Sequence, residues 1–354
     1  MTPECDVLVV GLGPAGAAAA WAAASKGLRV IAIDKKRQVG VPVQCAEFIP
    51  MTLGGYLQSP SVIMQRIAGM VSVLPSGASK RSPYSGFTID RAAFDQGLAA
   101  KAEEAGARLS LRSALRELDA DAKAARVDGP DGASTLRYKL LIAADGPYSR
   151  TASLLGLPRQ HMVHARQYTV PLTSARSDTM IWLSPDYPGG YAWLFPRAAH
   201  ANLGVGIDFE FARGSRRVLD SLHARLAAAG VVGRDVLRRT GGAIPVGGAR
   251  PRLVQRDVMF VGDAAGLTHP ITGAGIAAAV TSGDQAGLAA ASWMSQGQAA
   301  LDEYELEMSD LYRPTLEHAV RVRAELDRIW TTPAAAQDAP QRRGWIAFEE
   351  YFDA

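Results

Sequence analysis

The chain opens on a short apolar run at residues 7–10 (VLVV). Glycines follow, then a long run of alanines and a second apolar run at 28–34 (LRVIAID). Four apolar residues bounded by glycine suit a strand buried on both faces, and the alanine stretch behind them suits a closely packed helix. The pattern predicts strand, turn, helix and strand, with Gly27 closing the helix. A similar order returns near the other end: an apolar run over 258–261, then Gly262 and Asp263, then a glycine-rich entry into a second alanine-rich helix. Between these ends the period changes. Residues 68–77 and 164–208 alternate at period two with turn residues between the runs, which predicts an antiparallel sheet. Residues 108–146 read as a β-meander leading into a core strand. Residues 214–230 read as an amphipathic helix on the back of the sheet, and 302–330 as a long terminal helix broken before Pro314. Residues 331–340 (TTPAAAQDAP) resemble a linker.

These elements imply a mixed α/β, α+β fold with a discontinuous Rossmann-like domain made of residues 1–60, 88–160 and 250–295. An antiparallel-sheet domain takes 61–87 and 161–249, and a helical segment takes 296–354. A length of 354 residues allows a large core and two domains with a smaller third part. Within the sheet, Tyr191, Trp193 and Phe195 alternate with Ala192 and Leu194, so the three aromatics share one face. A few residues on, Gly204 and Gly206 leave one face of the next strand bare. The pair predicts a flat apolar slot, suited to a branched polyene lying against a planar ring system. The plainer alternative is aromatic side chains covering glycine on a neighbouring strand for packing alone.

Composition narrows the setting. The formal charge is +3 with a pI near 8.9, and the basic residues are scattered and mostly Arg, a solvated surface rather than a nucleic-acid arm. Cys5 and Cys45 are too few for a disulfide framework and point to a reducing compartment. With no charged leader and cleavage site, the expected location is cytoplasmic, with peripheral membrane contact left open. The uncharged runs 7–25 and 264–283 are broken by Gly and Pro and are not expected to span a bilayer. The histidines show no ligand spacing, so no metal is expected, and no G-x-S-x-G nucleophile element is present.

Gly11, Gly13 and Gly16 form G-x-G-x-x-G between the first strand and its helix. Such a turn needs its first glycine for the bend, its second for the approach of a pyrophosphate and its third for helix–strand packing. The helix N-terminus then offers free N–H groups to the phosphates, and Asp34, ending the second strand, is placed for ribose hydroxyls.

Three further stretches carry a resemblance. Gly262-Asp263 with the following P-x-T-G-x-G-I, A-D-G-x-x-S at 144–149, and R-x-x-F-D-x-x-L beginning at Arg91 resemble motifs of the FAD-binding, p-hydroxybenzoate-hydroxylase-like flavoprotein superfamily. Y-x-W-x-F-P at 191–196, followed by G-x-G at 204–206, and the segment VPVQCAEF at 41–48 resemble the geranylgeranyl reductase family. Ala46 departs from the usual Gly after the cysteine, and His269 stands where Asn is common before Pro270. The resemblance implies FAD as cofactor and reduction of carbon–carbon double bonds in an isoprenoid or lipid-like substrate, with NADPH, ferredoxin or another flavoprotein as electron donor. It further implies that Asp263 binds the flavin ribitol and that the helix entered near Gly275 and Ile276 aims its positive end at the ring system. Ala15, Cys45, Ala46, Phe48, Arg91 and Leu115 join the cofactor contacts. Cys45 and Tyr191 are then the candidate proton donors, and Tyr191, Trp193, Phe195, Gly204, Gly206 and His269 line the substrate. Halogenases of this fold carry W-x-W-x-I-P at the aromatic position, which this chain lacks. The competing readings are a FAD-dependent monooxygenase of an apolar small molecule and a non-catalytic FAD carrier.

Overall fold

The computed structural model describes residues 4–57 and 60–353; the outermost expected limits, residues 1 and 354, lie outside the described residues. A six-stranded sheet runs in the order 254–255, 258–260, 140–143, 7–10, 30–34, 108–111. All its neighbours are parallel except the short edge strand Val254–Gln255. Strand Val7–Val10 is buried throughout, as its uninterrupted apolar run requires. Chain order reverses on its two sides, and in such sheets ligands bind at the carboxyl ends of the strands at that reversal.

Helices Pro14–Ser25 and Ile276–Gln296 cross in close contact over this sheet. A Cβ on Gly283 would lie 2.1 Å from the Ala15 carbonyl oxygen, and one on Gly287 2.5 Å from that of Ala19. The alanine and glycine of the two uncharged runs are therefore the condition for backbone-to-backbone packing. Among the described residues no helix is long and apolar enough to cross a membrane.

The second large sheet has seven strands, ordered 238–245, 162–171, 200–208, 192–197, 178–182, 69–73, 79–82. Helix Ser215–Ala228 covers its back through buried Leu219, Leu222 and Leu226. The meander 114–119, 124–129, 132–137 forms a separate three-stranded sheet, and strands 48–50, 86–89 and 63–67 form another.

Two expectations are corrected. The terminal helix runs unbroken from Gln298 to Asp327 with Pro314 inside it. Pro314 and Asp310 are exposed, so the ring clears the core and the carbonyl deprived of its donor faces water. The stretch 331–340 is not a linker. It forms the turn Pro333–Ala336 and opens the helix Asp338–Arg343, with Ala335 and Gln341 buried and Asp338 accepting bonds from the N–H and hydroxyl of Ser76.

Candidate active site

The glycine turn divides its work as its spacing predicts. Gly11 has φ +101°, and a Cβ there would sit 2.3 Å from the Ala144 carbonyl oxygen; one on Gly16 would sit 1.9 Å from that of Gly11. At Gly13 a Cβ would meet nothing within 4 Å, which leaves that backbone open to a ligand. Helix Pro14–Ser25 begins with no side-chain cap, so its first N–H groups point unpaired toward that opening. The Asp34 carboxylate accepts from the N–H of Leu12 and Lys36, both at 2.8 Å, and braces the turn while keeping lone pairs for a ribose. Ala15 lies in the helix crossing against Gly283, and Leu115 is buried in the meander two residues past Ser113, whose N–H donates to the Asp34 carbonyl.

At the other end of the site, Gly262–Ala265 forms a single helical turn, and helix Ile276–Gln296 begins at Gly275, again without a side-chain cap. The Asp263 carboxyl accepts from the Thr268 hydroxyl at 2.6 Å. Burial raises its pKa, with Thr268 and the positive charge of Arg91 working the other way. Arg91 is the charge centre here: it forks onto Asp95 with two bonds of 3.0 Å and lies beside Cys45. Burial raises the Cys45 thiol above its ordinary pKa, and Arg91 and the Glu47 N–H on Sγ at 3.2 Å offset this in part.

The cysteine loop is held by side chains of the seven-stranded sheet. Gln167 donates to the Cys45 carbonyl at 3.0 Å, and Asn202 donates to the Ala46 carbonyl at 3.2 Å and to the Glu47 carboxylate at 2.9 Å. Arg238 and Thr240 both donate to the Val43 carbonyl. Glu47 has φ +68°, a costly conformation for a residue with a Cβ, and its buried carboxylate also accepts the Arg91 N–H at 3.1 Å. Sequence reasoning gave no role to Glu47, Gln167 or Asn202. A signal was available for Asn202, which shares a strand face with Gly204 and Gly206 in an otherwise apolar strand.

The aromatic wall forms: Tyr191 lies 5.8 Å from Trp193, Trp193 6.5 Å from Phe195, and Phe195 5.9 Å from Phe48. The Tyr191 hydroxyl donates to the Thr272 carbonyl, and burial, then Cys45, pushes its pKa upward. Gly204 is not the expected hole. It pairs with Trp193 in register, and a Cβ there would lie 2.2 Å from indole Cζ2, so the glycine makes room for the ring. The indole N–H donates to Gln167 at 3.2 Å, so one amide joins the wall to the cysteine loop. A Cβ on Gly206 would lie 3.3 Å from Val163, 3.8 Å from Trp193 and 3.9 Å from the Tyr191 carbonyl oxygen, and the glycine opens on a small pocket with Tyr191, Ile244, Thr272 and Gly273. His269 turns toward its own loop: Nδ1 accepts from the N–H of Ile271 and Thr272, both at 3.3 Å, while Nε2 lies 3.5 Å from the Tyr351 hydroxyl. Burial, then His318, lowers its pKa to about 4. It shapes the loop that carries Thr272, the acceptor of the Tyr191 hydroxyl.

Two uncapped helix starts, an open Gly13 and a braced acid at the second strand fit an extended dinucleotide, and the fold and site together define a FAD-dependent oxidoreductase. The chain matches the family model described as lycopene cyclase protein over residues 6–322. It is 35% identical to digeranylgeranylglycerophospholipid reductase 1 of Methanopyrus kandleri, over 92% of each chain. A geranylgeranyl bacteriochlorophyll reductase-like protein of Thermoplasma acidophilum superposes with a TM-score of 0.85 at 26% identity, covering 93% of this chain and 89% of that one. At 20% identity, aklavinone-11 hydroxylase in complex with FAD and aklavinone shares the fold, with a TM-score of 0.72 over 95% of this chain and 73% of its own. The chain belongs to the geranylgeranyl reductase family of FAD-dependent oxidoreductases.

Proposed function

We propose that this enzyme saturates carbon–carbon double bonds of an isoprenoid lipid, with Cys45 delivering the proton. FAD, when bound, supplies the electron pair. The chain's own residues must then bind the polyene, exclude water and hold a proton for the second carbon. The observation that carries the reading is the placement of a half-buried thiol, its pKa raised by desolvation, beside the aromatic wall. Burial holds the proton on Cys45 Sγ through neutral pH, and once it is given up, Arg91 and the Glu47 N–H steady the thiolate. Tyr191 spends its hydroxyl on Thr272 and serves as wall. Gln167 and Asn202 keep the loop backbone fixed while the proton moves.

The digeranylgeranylglycerophospholipid named for the Methanopyrus kandleri relative is the class of substrate we infer for this chain. The reading extends to a cytoplasmic enzyme in peripheral contact with the membrane that holds such a lipid. Electrons come from NADPH, ferredoxin or another flavoprotein, since the single G-x-G-x-x-G fingerprint is taken by FAD. The domain division drawn from the sequence is kept as part of this reading, with FAD between the six-stranded sheet and the roof of the seven-stranded one. Dithionite-reduced holoprotein should saturate geranylgeraniol. Cys45→Ser should retain FAD and lose turnover by roughly 10²–10⁴, the range of a lost general acid. Unchanged turnover in Cys45→Ser removes the cysteine from the chemistry. Oxygen uptake coupled to a hydroxylated product would instead mark a monooxygenase.

A further inference from the structure

Beyond the terminal helix the chain turns back and lays residues 345–351 on the aromatic wall. Trp345 is 3% exposed, its ring lies 4.8 Å from that of Tyr191, and its indole N–H donates to Ser72 Oγ at 2.9 Å. Phe348 and Tyr351 are buried alongside. The Tyr84 hydroxyl donates to the Ile346 carbonyl at 2.7 Å, His318 Nε2 meets the Tyr351 carbonyl at 2.8 Å, and Arg342 pairs with Glu350 at 2.7 Å. Ties to a strand of the seven-stranded sheet through Ser72, to Tyr84 and to the terminal helix through His318 make this segment a fixed wall rather than a lid.

Its position gives the wall a meaning. Tyr191 borders Cys45 and reaches Thr272 of the loop that precedes helix Ile276–Gln296, so it marks the reacting end of the slot. Trp345 is the large apolar side chain stacked on Tyr191 from the carboxyl-terminal segment. We infer that Trp345 determines chain-length specificity: it ends the slot beyond Tyr191 and limits how far an isoprenoid can run past the double bond being reduced. This inference rests on the function proposed above. An apolar pocket discriminates a single methylene by about 10-fold or more, and an indole occupies the space of several.

The test compares turnover on geranylgeraniol and on geranylfarnesol, one isoprene unit longer, for dithionite-reduced holoprotein, wild type and Trp345→Ala, with flavin content and melting temperature measured on each. The ratio of kcat/KM for the longer alcohol over the shorter should rise at least about 10-fold in Trp345→Ala. Trp345→Phe, which keeps a ring on Tyr191, and Ser72→Ala, which removes only the bond to the indole, should hold the wild-type ratio. Should the alanine variant lose its flavin, Trp345→Leu carries the same comparison with a smaller expected rise. Wild type reducing geranylgeraniol, with the ratio unmoved in a flavin-loaded Trp345 variant, overturns the inference alone. Reduction of neither alcohol by wild type overturns the proposed function and this inference with it.

Discussion

The glycine turn after Val10 and the loop around Cys45 flank one site and are made of different material. In the turn the working groups are backbone amides, and the side chains that matter are those left out: Gly11 and Gly16 because a Cβ would strike a carbonyl, Gly13 because the space beside it is kept clear. In the loop the backbone is mostly held in place by other groups, with the Glu47 N–H turned onto Cys45 Sγ. Its carbonyls at Val43, Cys45 and Ala46 are held by Thr240, Gln167 and Asn202, from strands more than a hundred positions later. A turn of the first kind is specified by six consecutive residues. A loop of the second kind is specified by the register of a sheet, and a one-residue slip would turn every one of those donors to the other face.

The sharpest break between the two regions comes from two alanines. Gly16→Ala places a methyl 1.9 Å from a carbonyl oxygen and should prevent recovery of folded, yellow protein, an overpacking cost of about 3 kcal/mol or more. Gly13→Ala meets no atom and should fold with a melting temperature near wild type, yet hold FAD more weakly as the methyl enters the space for the pyrophosphate. Equal flavin loss and equal destabilisation in both would remove the distinction between a packing glycine and a binding glycine.

Acidification probes a third element, the loop between Asp263 and helix Ile276–Gln296. The unfolded chain protonates His269 near pH 6.5, the folded one only near 4, so the unfolded state binds more protons in between. The stability at stake is therefore whole above about pH 6.5 and is lost as pH falls toward 4, roughly 3 kcal/mol in all. His269→Asn keeps an acceptor for the N–H groups of Ile271 and Thr272 without titrating. It should flatten the fall in melting temperature between those limits, and an undiminished fall would show that another group carries it.

The smallest effect belongs to the braced acid. Asp34→Ala should weaken FAD retention by about 1–3 kcal/mol through the lost ribose contact and the loosened turn. Equilibrium titration of the apoprotein measures it. A loss confined to melting temperature would assign Asp34 to bracing alone.

The same contrast governs how much could be read from the sequence. Both glycine-rich entries, the central parallel strands, the meander and the antiparallel pairings of the roof were legible because each is a local period or a local turn; the parallel pairing of 69–73 with 178–182 in that roof was not. So was the aromatic wall, since alternation alone puts Tyr191, Trp193 and Phe195 on one face. The strand register was not legible, and with it went Gln167, Asn202 and the choice between an open Gly204 and one covered by Trp193, which the sequence left as alternatives. Trp345 was hidden for another reason: nothing in residues 345–351 says which surface a returning segment will cover. Pro314 misled because its effect depends on facing water, which the sequence does not state.

The crossing of helices Pro14–Ser25 and Ile276–Gln296 also sets an order of events in the cell. At a synthesis rate of about 5–20 residues per second, the second helix leaves the ribosome tens of seconds after the first. Through that interval the alanine face of the first helix has no mate, and the nascent chain carries half a nucleotide cradle. Cofactor capture is thereby made a late event, one that registers the arrival of the carboxyl-terminal part and leaves truncated products colourless.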